Sequence, residues 1–291
     1  MISRVALIGF GEVGQTLAQD LKGKAELAVW DIAFAEPASP PSQALGGHQV
    51  RAGADPADAV RGANLVISAV TAAQDLEAAT SVAPGLDLGA FFLDLNSCSP
   101  GQKRASAEAV ETAGGRYVEA AVMSPIGPRR IASPMLLGGP HAADFLAAAQ
   151  GLGFAGARVY SENIGQAAAT KLCRSVVIKG IEALLTESLL AARHYGVEQD
   201  VMESLSDLLP IPSWPTTAQY MISRSIEHGV RRAEEMREAA RTVDEAGVEP
   251  VMSVSIAERQ VRSAAYKAAL SPDLLTMLDG IKDLARKDPA Q

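Results

Sequence analysis

A glycine triplet sits where a strand must become a helix, and it leaves the chain few folds. Val5-Ala6-Leu7-Ile8 is a short apolar run, Gly9-Phe10-Gly11-Glu12-Val13-Gly14 follows at once, and Val13 to Lys22 has helical periodicity. Strand, Gly-x-Gly-x-x-Gly turn and helix in direct succession describe the opening of a βαβ unit. The first glycine makes the tight turn and the second lets an external group approach the backbone. The third lets helix and strand pack closely. Free N–H groups at the helix start, with the helix dipole behind them, favour an anion there.

The rest of the first 160 residues repeats that alternation. Leu27 to Asp31, Leu65 to Val70 and Phe91 to Leu95 are further apolar runs between Ala-rich helical stretches. Tyr117 to Met123, Met135 to Leu137 and Arg158 to Tyr160 read as additional strands, partly antiparallel. Short strands buried on both faces and separated by helices imply a parallel sheet. From Gly165 the pattern changes to a helix of roughly 30 residues, ~45 Å long at 1.5 Å per residue. A proline-rich break, Pro210 to Pro215, separates it from more helices. The expected fold is α/β: a doubly wound Rossmann-type sheet, residues 1–163, then an all-α domain, residues 164–291, joined by the long helix.

In such sheets ligands gather beyond the carboxyl ends of the strands. The candidate dinucleotide contacts are therefore Gly9, Phe10, Gly11, Glu12, Val13 and Gly14, then Asp31 and Ile32 after the second strand. Asp31 lies 22 positions after Gly9, where a carboxylate accepts from ribose hydroxyls and repels a 2′-phosphate, so NAD is expected over NADP. Val70 and Thr71 end one later strand, and Asn96 and Ser97 end the next. Helix capping is the competing role for Thr71 and Ser97.

Composition narrows the function by exclusion. A formal charge of −8 over 291 residues opposes nucleic acid or an anionic membrane as the main partner. Two cysteines and four histidines without metal-ligand spacing predict neither a disulfide scaffold nor a dedicated metal site. With no signal-like N-terminus and no apolar run near 20 residues, the expectation is a cytoplasmic protein acting on small molecules.

Four landmarks in order resemble the β-hydroxyacid dehydrogenases, the family of 3-hydroxyisobutyrate and 6-phosphogluconate dehydrogenases. They are the glycine loop, Asp94-Leu95-Asn96-Ser97-Cys98-Ser99-Pro100, Glu119-Ala120-Ala121-Val122-Met123-Ser124-Pro125, and Gly165-Gln166-Ala167-Ala168-Ala169-Thr170-Lys171. The resemblance covers nearly the whole chain. It implies hydride transfer between a nicotinamide cofactor and a small hydroxy acid of 3-hydroxy type, with Lys171 as acid/base and Ser97 at the cofactor. It also implies an interdomain active site and a homodimer formed through the helical domain. Three departures mark a divergent branch. Met123-Ser124-Pro125 replaces the family's Ser-Gly-Gly substrate grip, Ser175 stands where an asparagine is expected, and Glu234-Glu235-Met236 lacks the lysine of a later motif.

Oxidising an alcohol releases a hydroxyl proton, and a lysine whose ammonium is disfavoured by burial or nearby positive charge can take it. Lys171, Arg174 and Ser175 share one helix face by their i, i+3, i+4 spacing. That makes Ser175 a candidate orienter and Arg174 a candidate anion clamp. Met123, Ser124, Pro125, Trp214 and Arg231 complete the expected substrate contacts. Arg231 and Glu235 at i, i+4 also suit a solvated helix face, and Trp214 between prolines also suits a loop anchor. Two other functions fit the architecture, reduction of an imine and nicotinamide binding without turnover. Retention of Lys171 favours alcohol chemistry over both.

Overall fold

Apolar residues on both faces of the central early strands, with helices between them, produce a sheet covered on both sides. The computed structural model describes residues 2–287. Two compact units emerge, Met1–Lys171 and Leu172–Gln291. The first contains β1 (Arg4–Ile8), α1 (Glu12–Leu21), β2 (Glu26–Trp30), α2 (Pro40–Ala44), β3 (Arg51–Ala52), α3 (Pro56–Val60) and β4 (Leu65–Ser68). It continues with α4 (Asp75–Val82), β5 (Phe91–Asp94), α5 (Pro100–Thr112), β6 (Arg116–Val122), α6 (Ile126–Arg129), β7 (Met135–Gly138), α7 (Ala142–Ala148) and β8 (Ala157–Ser161). The strands form one sheet in the order β3-β2-β1-β4-β5-β6-β7-β8. β1 to β6 run parallel, β7 is antiparallel to β6, and β8 runs with β7.

The two faces bury different residues at period two. Val5, Leu7, Val29, Ile67, Leu93 and Val118 line one core. Ala6, Ile8, Val66, Phe92 and Tyr117 line the other. The chain order reverses between β1 and β4, and this is the crevice where doubly wound sheets hold ligands. Register puts Trp30, Ile8, Ser68, Asp94 and Glu119 in one row across the carboxyl edge, with Gly138 of antiparallel β7 opposite Glu119. Asp31, Gly9, Val70 and Asn96 therefore emerge just beyond that edge. β4 stops at Ser68, two residues before the end its sequence suggests, because Val70 donates its N–H to Asn96 Oδ1 at 2.7 Å.

The helical part contains α8 (Gln166–Tyr195), α9 (Glu198–Leu208), α10 (Trp214–Glu245), α11 (Val251–Ser263) and α12 (Leu274–Lys287). The core of the second unit gathers Leu185, Leu189, Met202, Trp214, Ile222, Ile226, Met277, Leu278 and Ile281. Ala218, Ile222 and Ile226 recur every four residues on α10, which sets the stripe that packs. Among the described residues no helix is long and apolar enough to cross a membrane.

Candidate active site

The glycine loop separates what the protein needs from what a ligand needs. Gly9 has φ +94°, and a Cβ there would collide with the Ala69 carbonyl oxygen. A Cβ at Gly14 would collide with the Gly9 carbonyl oxygen, so both glycines are demanded by packing. At Gly11 a Cβ would meet no protein atom within 4 Å. Gly11 is exposed and caps α1 without any side-chain hydrogen bond. Open space over an uncapped helix start is what a pyrophosphate would fill. Glu12 is exposed and Val13 half-buried. The Phe10 ring is buried edge-on against Phe34 and His48, which leaves only its backbone to the loop.

Asp31 ties that loop to the end of β2. Its Oδ2 accepts from Phe10 N at 2.6 Å and its Oδ1 from Ala33 N at 2.8 Å. A carboxylate offers about four acceptor positions, and these two bonds use half of them. Ile32 beside it is exposed, and no Lys or Arg occurs from residue 31 to residue 50.

Beneath the ends of β4 and β5 lies a polar network that the sequence hides. Asn96 Nδ2 donates to Ser68 Oγ at 2.9 Å and to Asp75 Oδ1 at 2.7 Å. Asn96 N donates to Asp94 Oδ1 at 2.9 Å, Ser106 Oγ to Asp75 Oδ2 at 2.7 Å, and Tyr117 Oη to Asp94 Oδ2 at 2.5 Å. The Lys103 ammonium stands 2.7 Å from Asp94 Oδ1, with both side chains almost wholly buried. Burial, joined by Asp75, pushes Asp94 up to about 7 against the pull of Lys103. Burial also opposes ionisation of Asp75, but Lys103 and the bonds from Asn96 and Ser106 hold it below the usual carboxylate range. Burial pushes the Cys98 thiol up. Asp75, Asp94 and Cys98 are close enough to share a cation, and Lys103 supplies one.

Asn96 thus lies under the loop, with its amide committed to Val70, Ser68 and Asp75, rather than on the loop's open face. Capping at these strand ends belongs to Ser99, which accepts from Gln102 N at 3.3 Å at the start of α5. Thr71 is exposed and makes no cap bond. Ser97 is half-buried and accepts from Lys171 Nζ at 2.6 Å, which brings together two residues 74 positions apart. The helix that carries Lys171 is anchored by Glu119, whose carboxylate accepts from Gly165 N at 2.9 Å and Ala167 N at 2.8 Å. Burial raises Glu119 against those two N–H groups. Glu119 is a site-building residue that spacing alone does not single out. Its signal is an acid inside the apolar run Tyr117 to Val122.

Beyond β6, Met123 is half-buried and its N–H is donated to the Pro134 carbonyl at 2.9 Å. Ser124 is half-buried and Pro125 exposed. In the helical unit Arg174 is exposed, and Ser175 accepts from Lys179 Nζ at 3.3 Å. Lys179 is buried and pairs with Glu235 at 2.7 Å. Arg231 is exposed and also pairs with Glu235, so the solvated-face pairing expected from its spacing is made. Trp214 is 4% exposed in the core of its unit, which makes it an anchor of α10 rather than an open pocket wall.

Residues 4–165 match the family model described as the NAD binding domain of 6-phosphogluconate dehydrogenase. Residues 192–263 match a domain of unknown function, DUF1932. A conserved hypothetical protein from Sinorhizobium meliloti 1021 is 35% identical, with 97% of both chains covered and a TM-score of 0.80. A conserved protein of unknown function, described as structurally similar to 3-hydroxyacid dehydrogenases, is 28% identical over 90% of this chain and 98% of its own, with a TM-score of 0.70. Mycobacterium tuberculosis 3-hydroxyisobutyrate dehydrogenase shares the fold at 18% identity, covering 98% of this chain and 99% of its own, with a TM-score of 0.72.

Proposed function

The chain belongs to the family of the NAD binding domain of 6-phosphogluconate dehydrogenase, and from that premise we propose that it is an NAD-dependent oxidoreductase acting on the CH–OH group of a small 3-hydroxy acid. The observation that carries the reading is the Lys171 ammonium held 2.6 Å from Ser97 Oγ at the carboxyl edge of the sheet. When bound, the nicotinamide supplies the redox step by taking or giving a hydride.

The chain's own residues bind, orient and move the proton. The Gly9 and Phe10 N–H groups are bonded to Trp30 and Asp31, so the N–H groups of Gly11 to Gly14 would hold the pyrophosphate, and Asp31 and Ile32 would hold the ribose and its base. Val70, Thr71 and Ser97 would hold the nicotinamide end. Lys171 accepts the hydroxyl proton in oxidation and returns it in reduction, stabilising negative charge on that oxygen. Ser97 fixes the ammonium's position. Met123, Ser124, Pro125, Arg174 and Ser175 hold the acid. Residues 1–163 form the dinucleotide domain. Residues 164–291 contribute substrate contacts and pair two copies through exposed apolar side chains such as Val177, Leu184 and Val230.

The test is a panel of hydroxy acids with NAD and NADP, followed at the nicotinamide absorbance band. Turnover with NAD is expected on a 3-hydroxy acid, and Lys171→Met should abolish it while NAD binding survives. Equal turnover in that variant refutes the lysine's role. Reduction of imines alone would move the substrate class, and binding without any turnover would refute catalysis.

A further inference from the structure

The buried network beneath β4 and β5 reaches the site through the Asn96 side chain. Its Oδ1 fixes the Val70 N–H, and the next residue, Ser97, receives the Lys171 ammonium. Asn96 is itself held in place from α4, where Asp75 Oδ1 takes its amide and Ser106 of α5 donates to the other Asp75 oxygen. Asp75 is 1% exposed and Asn96 5%. We propose that Asp75 is a positioning residue: acting through Asn96, it sets both the cofactor-side backbone at Val70 and the Ser97 hydroxyl that aims Lys171. This rests on the dehydrogenase reading given above and deepens it.

The chemistry of the pair explains why an acid stands opposite an amide. The Asn96 amide must present its oxygen to Val70 N–H, and only then do its two N–H groups face Ser68 and Asp75. A carboxylate at position 75 accepts and never donates, so it allows only that orientation of the amide. An amide at position 75 opposite an amide at position 96 could pair either way. The groups facing Asp75 and Asn96 are Asp94 on β5, Cys98 on the following loop, Lys103 and Ser106 on α5, and Tyr117 on β6. Lys103 is the cation among them.

Asn96→Asp places a carboxylate against Asp75 at hydrogen-bond distance, and two such groups cannot both be ionised. The double variant Asp75→Asn with Asn96→Asp swaps acid and amide. The amide introduced at position 75 then donates to the new carboxylate and accepts from Ser106, while Val70 and Ser68 donate to position 96. The measurements are the NAD dissociation constant, the pH profile of kcat, thermal midpoint, and hydrogen exchange of segments 68–71 and 94–97. The single variant should lose on the order of 100-fold in kcat at pH 8, partly regained at pH 6, with weaker NAD binding and faster exchange in both segments. The double variant should return kcat, NAD affinity and exchange close to wild type.

Wild-type behaviour of Asn96→Asp overturns the proposal. So does a double variant that regains its thermal midpoint without regaining kcat and NAD affinity. If no hydroxy acid is turned over by the wild type, the substrate reading fails separately. NAD titration and exchange then still decide whether Asp75 sets Val70 and Ser97: unaltered values in Asn96→Asp overturn it, and loss with recovery in the double variant upholds it.

Discussion

Replacing Lys103 by Met removes the ammonium that faces Asp94 and Asp75 in the interior. The side chains have similar volume, so packing changes little and the cost is electrostatic. Breaking a buried pair by removing one partner costs about 3–5 kcal/mol, because a charge is left uncompensated. The pH dependence follows from Asp94, which burial lifts from 3.8 to about 7. Between those values the folded protein holds a proton that the unfolded chain has released, so stability falls as pH rises towards 7. Above 7 both states are ionised at Asp94 and its contribution is flat. Lys103 is raised by Asp94 despite its burial, so its own contribution is complete below its unfolded value of 10.5 and constant across this range. Without Lys103 Asp94 keeps its proton to higher pH, and the variant continues to lose about 1.4 kcal/mol per pH unit where wild type does not. The expected deficit is about 3 kcal/mol at pH 6 and about 5 kcal/mol at pH 8.5. Urea unfolding at both pH values measures it. A deficit that stays constant or shrinks as pH rises refutes the reasoning.

Gly11→Ala should leave the urea midpoint nearly unchanged yet weaken NAD binding at least tenfold, since its Cβ occupies only ligand space. Gly14→Ala should instead destabilise the fold by at least ~2 kcal/mol, since its Cβ meets the Gly9 carbonyl; equal effects at the two sites would refute the division between them. Glu119→Gln puts an amide N–H against a backbone N–H at the start of α8, and a loss of about 2–3 kcal/mol with a lower kcat is expected in unfolding and turnover assays. Asp31→Ala should cut the preference for NAD over NADP in binding titrations; an unaltered ratio would show that recognition lies elsewhere.

The legible parts of this molecule are those whose physics is local. Strand, glycine turn and helix follow one another between Val5 and Leu21, so their signal is written in consecutive residues. Asp31 is legible because one strand and one helix fix its distance from Gly9. Lys171 stands out on a helix start that resembles a known family, although the same resemblance assigns its partner Ser97 to the cofactor alone. What stays hidden depends on register. Asp75, Asp94, Lys103, Ser106 and Tyr117 lie on two strands and two helices, and only the row that aligns Ser68 with Asp94 makes them neighbours. Each read alone is an ordinary polar residue of a strand or helix. Trp214 is ambiguous for the opposite reason, since flanking prolines mark a turn without saying which way the indole faces.

The same register resolves how an acidic chain can serve an anionic dinucleotide. Three acids crowd the carboxyl edge of the sheet, Asp75, Asp94 and Glu119, and all three point into the protein. Lys103 offsets the first two, and the N–H groups of Gly165 and Ala167 satisfy the third. Burial leaves their charge screened by built-in donors rather than projected across the edge. The outer layer holds uncharged N–H groups of the glycine loop and the Lys171 ammonium, with Asp31 committed to Phe10 and Ala33. Net charge therefore describes the surface of this chain and not its site. For Asp94 and Glu119 the balance is set by which strand residue each occupies, and moving either by a single position would turn it to the other face of the sheet.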